Sequence, residues 1–127
     1  MLFSLSELHY LAIIAGGFLY MIYGTIYYSI VLGKKKEGGQ SEGPLKYVVS
    51  VIVAFISSLF VAIIVQASSA EGLLEGSAVG IIIGILITIV YLKNSLFGLV
   101  TKKAFFIVIG DHLIIFTLLG ALHGLLL

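Results

Sequence analysis

The stretch FIVIGDHLIIF, Phe106 to Phe116, sets an acid and an imidazole, Asp111 and His112, side by side in a run that is otherwise apolar apart from Gly110. A carboxyl beside an imidazole can act as acid and base, bind a small cation, or tie helices together by hydrogen bonds. An ionised side chain near the bilayer centre costs about 2.5 to 3.5 kcal/mol on insertion scales, so the pair needs partners. At the helical rise Asp111 lies about 10 Å in from Ala104, and Tyr27 lies at about the same depth from Gly33. Tyr27, or Thr88 slightly nearer the surface, is the expected donor to the carboxylate. His112 points about 100° away, toward a different neighbour. Two roles for Asp111 stay open: a proton-relay or cation-binding acid, and interhelical hydrogen bonding.

With Tyr20 as reference on the first helix, Gly16, Gly17, Tyr23, Gly24, Tyr27 and Tyr28 fall within about 80° of it. That small and aromatic face can pack a neighbouring helix or line a polar path with hydroxyls. Leu11, Phe18, Ile22 and Ser29 take the opposite side, mostly fit for lipid. His123 shares a face with His112 but sits about 16 Å further along, too far to ligate one ion with it. It is expected near His9 and Glu7 at the outer surface, and since their spacing matches no metal motif, no metal is expected. Ser57 and Ser58 are expected to bond back to their own helix.

Glycine supplies a second pattern. Gly72, Gly76, Gly80 and Gly84 recur every fourth residue and run on to Thr88, and Gly120 and Gly124 repeat the step later. Small residues at this spacing let membrane helices approach closely. The partner is either another helix of this chain or the same helix of a second copy, and a homo-oligomer, dimer or higher, is the expected outcome.

These residues must be held by membrane helices. The chain has 127 residues, 61% hydrophobic and 10% charged, with mean hydropathy +1.24, whereas a soluble domain has about 25% charged residues. Four stretches reach the roughly 20 apolar residues of a span: approximately Leu8 to Leu32, Leu45 to Ala67, Gly72 to Leu92 and Ala104 to Leu126. Continuously apolar runs such as IIIGILITIVYL exclude alternating barrel strands, which leaves helices. Ser4-x-x-Glu7 and Ser68-x-x-Glu71 read as capping boxes, Gly33 as a C-cap and Pro44 as a first-turn proline. The fold is therefore an all-α, up-and-down bundle of four transmembrane helices in a single domain, with a flexible loop over 34–44. No basic region precedes the first apolar run, so a cleaved signal peptide is not expected.

Lysines fall on one side only. Lys34, Lys35, Lys36 and Lys46 flank the first loop and Lys93, Lys102 and Lys103 the third. The positive-inside rule makes those loops cytoplasmic and puts both termini outside. The bilayer is the expected partner, with Lys34, Lys35, Lys36, Lys46, Lys102 and Lys103 at anionic headgroups. Cysteine is absent, which removes disulfides, thiolate catalysis and Cys-based zinc sites. No GxSxG, HExxH, Walker A or CxxC occurs, so no cofactor and no nucleic acid is expected.

Gly24-x-x-Tyr27-Tyr28-Ser29 followed by Leu32-Gly33-Lys34, Asn94-Ser95-Leu96-Phe97 after the third span, and Gly120-Ala121-Leu122 near the end carry a resemblance. The chain resembles a bacterial family of small four-helix membrane proteins known as domain of unknown function 1761. Ile30 stands where that family often has proline. The resemblance implies four helices and a bacterial cytoplasmic membrane, but no activity and no functional residues. The resulting expectation is a non-enzymatic small integral membrane protein, an assembly partner or a modest ion or solute conduit. Its polar centre would comprise Asp111, His112, Tyr20, Tyr23, Tyr27 and Thr88. The alternative is an intramembrane enzyme acting on lipid or quinone with Asp111 and His112 as acid and base.

Overall fold

A computed structural model describes residues 8–32 and 44–126. They form four helices, α1 (Tyr10–Leu32), α2 (Leu45–Ala67), α3 (Gly72–Leu96) and α4 (Lys102–Leu126). All four are long and apolar enough to cross a membrane. The Ser4–Glu7 capping box, the Gly33 cap, the loop before Pro44 and Lys34 to Lys36 lie outside the described residues.

α1 begins at Tyr10 rather than Leu8, and three further helix ends differ from expectation, each for a local reason. The polar residues Lys93, Asn94 and Ser95 continue α3 to Leu96, where Gly98 turns left-handed at φ 76°. There the Leu99 N–H donates to the Asn94 carbonyl at 2.9 Å and the Gly98 N–H to the Ser95 carbonyl at 3.0 Å. This pair of bonds closes a helix C-terminus and needs a left-handed residue, which glycine adopts without strain. α4 starts two residues early because Thr101 caps it, its hydroxyl accepting the Ala104 N–H at 3.1 Å. The capping box expected at Ser68-x-x-Glu71 does not form. Ser68 belongs to the end of α2, its hydroxyl donating to the Val65 carbonyl at 3.1 Å, and Glu71 precedes α3 with no side-chain cap bond.

Consecutive helices run antiparallel, and α2 and α4, both opposed to α1, run parallel to each other. α4 is touched by all three others, most extensively by α3. Along the α3–α4 seam the two glycine stripes face each other. A Cβ on Gly76 or Gly120 would strike the carbonyl of the other, one on Gly80 would strike the Phe116 carbonyl, and one on Gly124 the Gly72 carbonyl. At the seam's other end, a Cβ on Gly84 would come within 3.0 Å of the Leu113 Cα. Gly76, Gly80, Gly84, Gly120 and Gly124 are therefore packed against the facing helix of the same chain, whereas Gly72 has open space beside it.

The buried core joins Val61 and Val65 of α2 to Ile115, Phe116 and Leu119 of α4, with Tyr20 and Tyr23 of α1 against it. Leu8, Ile13 and Ala62 form a second cluster. Large apolar side chains cover the outside of every helix, among them Phe18, Ile22, Phe60, Ile82, Leu86 and Phe106. In water such a surface would drive aggregation; in hydrocarbon it is the proper exterior.

Candidate functional site

Asp111 is only 6% exposed, although it is the sole acid on α4. Its partner is Tyr28, whose hydroxyl donates to Oδ2 at 2.7 Å. The expected donors Tyr27 and Thr88 are engaged elsewhere. The Tyr27 hydroxyl donates to the Ile107 carbonyl at 2.6 Å, and that of Thr88 to the Gly84 carbonyl of its own helix at 2.9 Å. Tyr27 does reach the same turn of α4, because Ile107 precedes Asp111 by four residues and its carbonyl is the one that Asp111's N–H meets in a helix. Gly110 leaves the room, since a Cβ there would lie 2.6 Å from the Tyr27 hydroxyl.

The other tyrosines extend this polar region along α1. Tyr23 stacks on Tyr27 with centroids 5.7 Å apart, Tyr27 meets Tyr28 edge-on at 5.2 Å, and Tyr20 meets Phe116 edge-on at 6.4 Å. The Tyr23 hydroxyl is buried and makes no hydrogen bond among the described residues. Such a group carries a desolvation penalty with nothing to offset it.

His112 faces away from this cluster. Nδ1 sits 2.7 Å from the Val108 carbonyl, which can only accept, so Nδ1 carries the hydrogen. The ring stacks between Tyr91 of α3 at 5.8 Å and Phe116 at 6.1 Å. Asp111 thus engages α1 while His112 turns toward α3, and the acid–base pair of the enzyme reading is not assembled.

Ser58 also departs from expectation. Its hydroxyl leaves its own helix and reaches the Ile13 carbonyl of α1 at 2.8 Å and His123 Nε2 of α4 at 3.1 Å. Gly16 makes this possible, for a Cβ there would strike Ser58 Oγ and lie 3.2 Å from His123 Nε2. His9 and His123 share a cleft with Leu8 and Ala62 as expected, but His123 is buried rather than at the surface; Glu7 is outside the described residues. A larger depression of about 380 Å³ opens at the α2–α3 turn between Gln66, Ser69, Glu71 and Gly124. At the opposite end Lys46 lies over the Tyr47 ring, 5.1 Å from its centroid, and Lys102 and Lys103 are exposed at the start of α4.

Tyr28, Gly110 and Ser58 were not singled out as site residues by sequence. Tyr28 was on the right face of α1, and Gly110 stood next to the acid, which was the available signal for a close approach there.

Against known families, residues 11–124 match the one described as protein of unknown function (DUF1761). The chain belongs to that family. The match covers nearly all of it, from the first turn of α1 to Gly124, so the family and the four-helix, multi-pass membrane architecture coincide. No curated protein and no solved structure matches the chain.

Proposed function

We propose that this member of the family is a non-enzymatic membrane protein acting as a modest conduit for protons or small cations, with Asp111 as the group that binds them. The supporting observation is a buried carboxyl held by the phenolic hydroxyl of Tyr28, within electrostatic reach of Tyr23, whose buried hydroxyl has no hydrogen-bond partner among the described residues. A carboxyl inside a membrane bundle is costly to keep and is a usual mark of an ion or proton pathway. Phenols next to it can hand a proton along or turn an oxygen toward a cation. The test is flux through proteoliposomes containing purified protein. Asp111→Asn keeps an oxygen for Tyr28 but cannot take up a proton or carry charge. It is expected to lower proton or K⁺ flux at least tenfold while the elution profile in detergent stays that of the parent. Unchanged flux makes Asp111 a structural tie and removes the conduit reading.

The proposed orientation in the cytoplasmic membrane puts the end bearing Lys93, Lys102 and Lys103 inside and the α2–α3 turn outside, by the positive-inside rule. Absence of native cysteine gives a clean assay. In intact cells an impermeant maleimide is expected to label Glu71→Cys and to reach Leu99→Cys only after permeabilisation. The reverse pattern inverts the topology.

A further inference from the structure

The end of the bundle opposite Tyr28 carries a second constellation that plays no part in the proposed conduit. Ser58 Oγ has a single hydrogen and two neighbours, the Ile13 carbonyl at 2.8 Å and His123 Nε2 at 3.1 Å. The carbonyl can only accept, so the serine hydrogen goes there and Nε2–H donates to Oγ. Nδ1 is then the ring nitrogen with the lone pair. For nucleophilic catalysis this polarity is wrong, because the imidazole does not accept the serine proton. It is the polarity that metal-binding histidines use, in which a hydrogen bond at one nitrogen fixes the tautomer and orients the ring for ligation through the other.

The surroundings suit an ion. His123 is 4% exposed, yet it helps line a cleft of about 10 Å³ with His9, Leu8 and Ala62, close to the volume that admits one water-sized body. His9 is exposed at the head of α1, where water can reach. Imidazoles bind Zn²⁺ at about 2.0 to 2.1 Å and also suit copper and nickel. No set of three His, Cys, Asp or Glu among the described residues could complete a closed site, which leaves water or another external ligand to fill the remaining positions. We propose that His9 and His123 form an open transition-metal site of the Zn²⁺ class, with Ser58 as the positioning residue that fixes the His123 tautomer.

The experiment is Zn²⁺ titration of the full chain in detergent, with ¹⁵N spectra of the imidazoles and with Co²⁺ absorption as an independent probe. About one equivalent is expected to bind, moving the His123 Nδ1 resonance while Nε2 keeps its hydrogen. Ser58→Ala is expected to weaken binding about 10- to 100-fold, the usual range for a lost orienting contact. His9→Ala removes an exposed side chain and is expected to weaken binding at least tenfold with thermal stability unchanged, so the test stands even if Ser58→Ala folds poorly. Absence of saturable binding by the parent, or parent-like affinity in His9→Ala, overturns the site. Neither result bears on Asp111, which lies in a different part of the bundle.

Discussion

Gly80→Ile is expected to prevent recovery of a folded, monodisperse protein from detergent. A Cβ at Gly80 would run into the Phe116 carbonyl and lie 2.7 Å from both the Phe116 carbonyl carbon and the Thr117 Cα. These atoms are backbone in the middle of a helix and cannot swing aside as a side-chain tip does. Overpacking where side chains can yield costs about 1 to 3 kcal/mol; here α3 and α4 must separate along the seam, and isoleucine adds three more carbons. The control is Gly24→Ala, where a Cβ meets nothing within 4 Å. That change is expected to be neutral or slightly stabilising, since alanine favours a helix over glycine by up to about 1 kcal/mol. If Gly80→Ile melts and elutes like the parent, the close α3–α4 seam is wrong.

Tyr28→Phe and Asp111→Leu are each expected to destabilise the bundle by about 1 to 2 kcal/mol, within the roughly 1 to 3 kcal/mol that an unsatisfied buried polar group costs, and the double variant by less than either. The reason is asymmetry between making and breaking a buried polar contact. Removing Tyr28's hydroxyl strands Oδ2 in an apolar interface, and removing the carboxyl strands the phenol; removing both leaves nothing unpaired. Tyr27→Phe provides the comparison. Its acceptor, the Ile107 carbonyl, keeps its helical partner, so the loss is expected near the roughly 0.6 kcal/mol average for membrane hydrogen bonds. Unfolding in mixed micelles, read by far-ultraviolet circular dichroism, measures all four variants. Equal costs for Tyr27→Phe and Tyr28→Phe, or strictly additive costs in the double variant, contradict the assignment of Asp111's partner.

The four helices were legible because hydrocarbon allows a span so few alternatives, and continuous apolar runs such as that of α2 fit only one of them. Helix ends were harder. Ser68 satisfied a rule for starting α3, but the left-handed Ser69 at φ 57° ends α2 there and commits Ser68 to that end. Lys93 to Ser95 looked like loop because they are polar, and only Gly98 marked the true stop. Depth arithmetic put α1's tyrosines level with Asp111, but sequence position does not fix the relative rotation of two helices. Tyr27 and Tyr28 differ by about 100° around the axis, and that rotation decides which one meets the carboxylate. Ser58's partners lie 45 residues before it and 65 after it, and a serine in mid-helix reads the same whether it bonds its own backbone or bridges two others.

α4 offers a different face to each neighbour: glycines to α3, Asp111 to the tyrosines of α1, and Ile115 with Leu119 to the α2 core. A helix with three such obligations has little freedom to drift, while α3 answers chiefly to one neighbour and can vary along the rest of its circumference. Substitutions at exposed positions of any helix, such as Ile82 of α3 or Phe106 of α4, are therefore expected to disturb the bundle least, and those on the three packed faces of α4 most.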